Sequence, residues 1–282
     1  MNNIMRKAVA ASFAALTLAQ PAGAVLQRMG PTDPANGFPL WFQDRNGVAL
    51  ELCTINDPVN GLAVVNAGLC AIVNAPAPDG IQQAPEVFPT NFTTEHFYTL
   101  VISKMAAAGL DAKTGATVPG AGNIVFNMGL EASFANGVPT PGQQLMFSRW
   151  RVQHVNPACS GSYTYYTPTN TPQTFTAAAG AKVFETVDAG MGNVDALMAG
   201  NTGPFLQGSD VPGGPVKAPF VGPDGKKYLS DGGGIGSPIT GSTIPNPFKN
   251  STNAFVPPEV RLMDNTNYVA VQGPGVVSGN CA

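Results

Sequence analysis

Residues 124–155 constrain the fold more than any other stretch, because two apolar runs there flank a turn-rich centre. Ile124, Phe126, Met128, Leu130, Ala132 and Phe134 recur at every second position, with Asn127, Glu131 and Ser133 between them. A period of two places the six apolar side chains on one face of an extended strand. Glu131 and Ser133 then fall on the opposite face, which is expected to be solvated. Asn136-Gly137 and Pro139-Thr140-Pro141-Gly142 break the chain. The second run, Leu145 to Val155, is again rich in aromatic and β-branched residues. The pattern predicts a long β-hairpin, or two successive strands of one sheet, inside an all-β antiparallel sandwich.

The flanking segments extend that expectation. Phe38 to Asp44 meets Val48 to Cys53 across Arg45-Asn46-Gly47, and Asn-Gly accepts the positive φ angles of a tight hairpin turn. Further strands are expected at His96–Ile102, Ser162–Thr167 with Gln173–Thr176, Lys182–Val187, Val260–Met263 and Tyr268–Val271. The alanines from Lys104 to Asp111 suggest a helical turn, and residues 53–70 read as a loop. Residues 207–258 read as one long Gly/Pro-rich loop, of a length that usually serves function. The 33 glycines and 26 prolines, about a fifth of the 282 residues, imply many turns and few helices. The chain divides into a signal peptide (1–24), an N-terminal β-rich region (25–157) and a C-terminal sandwich-like region (158–282). The last two make one large domain or two packed ones.

The signal peptide is read from Arg6 and Lys7, the apolar run Ala8 to Ala19, and the small residues of Pro21-Ala22-Gly23-Ala24. The run is too short to span a bilayer, and cleavage is expected after Ala24, which leaves no transmembrane segment. Without Arg6 and Lys7, 12 of the 14 basic residues remain against 17 acidic ones, a mature charge of −5. Such a chain has no basic run to neutralise phosphates, so nucleic acid is not an expected partner. Cys53, Cys70, Cys159 and Cys281 form an even set, as in exported disulfide proteins, and allow three connectivities. The pairing expected is Cys53–Cys70, closing a small loop worth on the order of 3 kcal/mol, with Cys159–Cys281 tying the C-terminus to the middle.

Three patches resemble a β-rich module that recurs in secreted bacterial proteins. The first is Asn36-Gly37-Phe38-Pro39-Leu40-Trp41-Phe42-Gln43-Asp44 with Asn46-Gly47 and Leu50-Glu51-Leu52-Cys53. The second is Leu130 to Ala135 followed by Gly142 to Arg151, and the third Gly161-Ser162-Tyr163-Thr164 with Gly203 to Leu206 and Pro238 to Ser242. The resemblance implies an envelope or extracellular setting, often beside immunoglobulin-like surface repeats, and carries no catalytic residues. The chain departs from it at Tyr165 to Thr169, where a histidine-containing turn is usual.

Catalytic motifs are scarce. No G-x-S-x-G elbow occurs, and a Ser-His-Asp triad would have to recruit His96 or His154. Both read as ordinary strand residues. Asp44, Glu51, Glu131 and Glu185 could supply a glycosidase carboxylate pair only if two stood roughly 5–10 Å apart. Asp210, Asp224 and Asp231 lie in glycine-rich loops, but their spacing matches no EF-hand. No metal, cofactor or catalytic residue is therefore expected. Arg149, Trp150 and Arg151 are the candidate binding residues, since guanidinium groups recognise carboxylates and an indole stacks on a sugar. The plainer alternative is a two-faced strand whose arginines pair with local acids. The chain reads as a secreted, periplasmic or cell-surface protein, structural, adhesive or binding, whose partner is an envelope polymer or another surface protein. The competing reading is a secreted hydrolase of a glycan or ester polymer, its cleft shaped by residues 207–258. Mass spectrometry of the exported protein should find Val25 at the N-terminus; an intact Met1 would contradict the signal peptide.

Overall fold

The computed structural model describes residues 26–44, 47–56, 59–73, 85–111, 113–167, 172–199, 220–230, 238–244, 269–276 and 279–281. The expected signal peptide, the Val260–Met263 strand, Asp210 and Asp231 lie outside them. In chain order the elements are β1 (Leu26–Met29), β2 (Trp41–Asp44), β3 (Ala49–Glu51), α1 (Asn60–Asn66), β4 (Ile72–Val73) and β5 (Glu95–Leu110). There follow β6 (Thr117–Phe134), β7 (Gln144–Val155), β8 (Gly161–Tyr166), β9 (Gln173–Ala177), β10 (Val183–Ala189) and α2 (Val194–Ala199). Last come β11 (Phe220–Val221), β12 (Lys227–Ser230), β13 (Pro238–Ile244) and β14 (Ala270–Gln272).

The protein is all-β and antiparallel, in two sheets. The large sheet runs β1-β2-β3-β13-β5-β6-β7-β10, with β4 on β5 and β11-β12 beside β13. It joins strands from both sides of residue 157. The small sheet runs β14-β8-β9.

The alternation read in β6 orders both cores. Ile124, Phe126 and Met128 pack with Trp150 and Val152 of β7, with Tyr163 and Tyr165 of β8, and with Phe175 and Val271. The small sheet thus lies over this half of the large one. Leu130, Ala132 and Phe134 continue the same face into a second core with Leu26, Phe38, Phe42, Leu50, Phe92, Tyr98 and Leu197. There the Phe134 ring meets Phe38 edge-on at 5.3 Å and stacks on Phe88 at 5.7 Å. One strand face therefore serves two packing layers.

The disulfides pair as expected. Cys53–Cys70, with Cα atoms 5.5 Å apart, closes the segment that holds α1, and Cys159–Cys281, 5.4 Å apart, fastens the C-terminal segment to the entrance of β8.

Three local expectations are corrected. The alanines after Lys104 continue β5 to Leu110 instead of turning helical. Small residues are needed there because backbones converge. A Cβ on Gly109 would stand 2.4 Å from the Gly122 nitrogen, and the Ala108 N–H donates to the Val276 carbonyl at 2.9 Å. The Cys53–Cys70 segment contains α1, whose Val64 turns onto the disulfide. The stretch expected to be a loop over 207–258 contributes β11, β12 and β13, and β13 stands between β3 and β5. Ile239, Thr240, Thr243 and Ile244 supply β-branched residues that suit a pleated strand.

Phe126→Ala should cost about 3–5 kcal/mol in denaturant unfolding, from lost transfer energy and an incompletely collapsed cavity. Ile102→Ala, at a side chain 54% exposed, should stay within about 0.5 kcal/mol. Equal effects at the two sites would contradict the two-faced sheet.

Candidate functional site

Alternation along β7 separates the three candidate binding residues. Arg149 and Arg151 share the outer face of the large sheet with Phe147, whereas Trp150 turns inward with Ser148 and Val152. Trp150 is 1% exposed, and its ring lies 6.0 Å from Phe175 and 6.5 Å from Phe126. It has no face to offer a sugar. The signal was present in the sequence, since Trp150 is in phase with Val152, two residues on.

Arg149 gathers three carboxyl groups. β10 runs antiparallel to β7 and places Asp188 opposite it, where Asp188 accepts from Nε and Nη2, both at 2.8 Å. Nη1 stands 3.1 Å from Glu131 and 3.6 Å from Glu95, and the guanidinium lies 4.8 Å from the Phe147 ring centroid. Gly129 faces Arg149 across the β6–β7 ladder, and a Cβ there would come within 2.9 Å of Glu131 Oε1. Its missing side chain makes the room Glu131 occupies.

The outer face is therefore closed around Glu131, which is 2% exposed and not solvated as expected. Burial, and then its hydrogen bond to Glu95, push the Glu131 carboxyl up to about 9, and the charge of Arg149 offsets only part of this. Arg149 Nη1 pairs with Glu131 Oε2 at 3.1 Å, but that buried oxygen accepts no hydrogen bond, so the attraction leaves much of the burial cost in place. Arg149 Nη1 lies within 3.6 Å of both the Glu131 and the Glu95 carboxyl groups, and Glu131 is buried, so this pair leaves no room for a glycosidic bond. Of the other candidate carboxylates, Asp44 accepts the Val48 N–H at 2.8 Å and closes the β2–β3 hairpin, while Glu185 is exposed on β10.

Both histidines are enclosed. His96 Nε2 lies 2.9 Å from Glu86 and 3.0 Å from the Thr93 hydroxyl, and its ring stacks on Phe92 at 4.1 Å. The Thr93 hydroxyl also lies 3.2 Å from Nδ1, so one threonine and one glutamate meet a ring that is fully buried against Phe92, closed to any substrate a triad histidine would serve. Burial would raise the Glu86 carboxyl. His96 and the Ile55 and Thr93 amides outweigh that effect and hold it below its ordinary value. His154 Nδ1 meets the Tyr165 hydroxyl at 3.0 Å, and burial pulls its pKa down to about 4. His154 is 1% exposed, its ring packed edge-on against Tyr163 and Tyr165, and among the described residues no serine pairs with it.

A cleft of about 410 Å³ opens elsewhere, between the β2–β3 hairpin, α1 and the β11–β12 turn. Asp33, Asn36, Glu51 and Asn60 line it, with Asp224, Lys226 and Tyr228 opposite and the Cys53–Cys70 disulfide in its wall. Lys226 pairs with Glu51, and the Tyr228 hydroxyl donates to Asp224 at 2.8 Å. Burial, and then the Asp224 carboxylate, raise the Tyr228 phenol well above its ordinary value. Only the expectation that residues 207–258 shape a cleft pointed toward this place. Glu51 and Asp224 fit a carboxylate pair or a Ca²⁺ loop equally well by residue type, and no spacing links Asp33 to Asp224. Among the described residues, no three His, Cys, Asp or Glu side chains converge to hold a metal ion, and no helix is long and apolar enough to cross a membrane.

The folded value of Glu131 lies above its unfolded value of about 4.5. Its contribution to stability is thus complete below that pH and is lost as pH rises toward about 9. Denaturant unfolding between neutral pH and pH 9 should show falling stability, with a slope of up to about 1.4 kcal/mol per pH unit. Glu131→Gln should flatten that slope; an unchanged slope would contradict a protonated Glu131. No family model matches this chain, and neither curated proteins nor solved structures match it.

Proposed function

We propose that the chain is an exported, non-enzymatic binding protein of the bacterial envelope or extracellular space, and that the cleft holds a hydroxyl-rich ligand such as the end of a glycan. The observation that carries this reading is how the polar groups are distributed. Glu131, Glu95, His96 and His154, which a hydrolase could recruit, are engaged in closed contacts with Arg149, Glu86, Thr93 and Tyr165. The polar groups of the cleft also pair with one another, Lys226 with Glu51, Tyr228 with Asp224 and Asn36 with Asp33, but they do so around an open volume suited to a small ligand. Carboxylates accept from sugar hydroxyls, and carboxamides both donate and accept. The two disulfides, the signal-peptide pattern and the resemblance to secreted modules support export.

Calorimetric titration with neutral oligosaccharides should reveal saturable binding without product formation. Leu40→Trp fills the cleft mouth from a half-exposed position and should weaken binding by about tenfold or more while the unfolding midpoint holds. Cleavage of a glycan or ester that Leu40→Trp abolishes would overturn this reading in favour of the hydrolase.

A further inference from the structure

We propose that the outer face of the large sheet binds an acidic polysaccharide, held by Arg151, Lys182 and Lys104 around the exposed ring of Phe184. This surface is separate from the cleft and does not depend on the reading of it.

The register assembles the site. Lys104 pairs with Val125, Val125 with Gln153, and Gln153 with Phe184, so the four form one row across β5, β6, β7 and β10. The adjacent row is Ile102, Asn127, Arg151 and Thr186. At the usual strand separation, three spacings put Lys104 about 14 Å from Phe184, room for a few sugar rings laid across the strands. Phe184 is 49% exposed. The Arg151 guanidinium carbon lies 5.3 Å from its ring centroid and the Lys182 ammonium nitrogen 4.7 Å.

The two arginines of β7 differ because of what β10 sets opposite them. Arg149 faces Asp188, and the acids around it absorb its charge. Arg151 faces Thr186, whose hydroxyl accepts only from Nε, at 2.8 Å. No carboxylate among the described residues pairs with Arg151, Lys182 or Lys104. Three uncompensated cations on one face of a chain with formal net charge −3 make a surface complementary to carboxylates. The open end of the guanidinium fork matches a carboxylate in bidentate fashion, and Asn127 and Gln153 lie between the cations to meet hydroxyl groups. A nucleic acid fits less well. It carries a charge at every nucleotide and would need more cations, and only one aromatic ring stands here to stack a base.

The test is affinity electrophoresis of the purified mature protein through gels containing polygalacturonate, dextran or single-stranded DNA. Polygalacturonate should retard the protein, less so at raised salt, and dextran should not. Arg151→Gln with Lys182→Gln should weaken retardation by about tenfold. Phe184→Ala should weaken it, Phe184→Tyr should preserve it, and Leu40→Trp in the cleft should leave it intact. If the double variant fails to fold, Lys104→Gln alone, at an exposed position on β5, should still reduce retardation. Equal retardation by dextran, wild-type behaviour of the folded double variant or of Lys104→Gln, or stronger retardation by DNA would each overturn the proposal.

Discussion

The alternation of side chains along β6 is the constraint on which the rest of the structure depends. Because a strand turns successive residues to opposite faces, one choice of register assigns Ile124 through Phe134 to the interior all at once. That face is long enough to enter two cores, one closed by the small sheet and one by the β1–β3 strands with Phe92 and Leu197. A slip of one residue would drive Asn127, Glu131 and Ser133 into both. Neither core can be assembled without fixing the face of the other, which binds residues from both halves of the chain into one arrangement.

The same alternation governs the charges. Glu131, Arg149 and Arg151 lie on the outer face because the inner one is occupied by apolar residues, and β10 then decides what each arginine does. Asp188 draws Arg149 into a cluster in which Gly129 leaves space and burial raises the Glu131 carboxyl. Thr186 leaves Arg151 with its charge uncompensated. Removing Arg149 would leave carboxyl groups facing one another in a poorly solvated place, so its structural role is strong. Arg151 has no such duty, and that contrast distinguishes structural charge from available charge on one strand.

Much of the fold was legible because it rests on local patterns. Period two in β6, Asn-Gly between β2 and β3, and the Tyr-rich and Thr-rich runs of β8 and β9 each specify their element without distant help. Residues decided by distant contacts were not legible. Ala106 to Ala108 carry helix propensity, yet they lie in β5 because the C-terminal segment and Gly122 demand small side chains beside them. β13 is hidden by its glycine and proline neighbours and exists through pairing with β3, β5 and β12. Of the candidate site, Arg151 was visible, whereas Phe184 and Lys182 lie some thirty residues away and reach it only through the β7–β10 register. Trp150 has the residue type of a sugar-stacking side chain, but its phase along β7 with Val152 turns it into the core. The cleft draws on residues from Asp33 to Tyr228, and no short motif could have announced it.

Native-state hydrogen exchange along β6, followed at rising denaturant, tests the central claim that this strand couples the two cores into one cooperative unit. Amides on both halves, 124–128 and 130–134, should converge on a single exchange free energy equal to that of global unfolding. Exchange of one half through a separate, lower-energy opening while the other stays protected would contradict it.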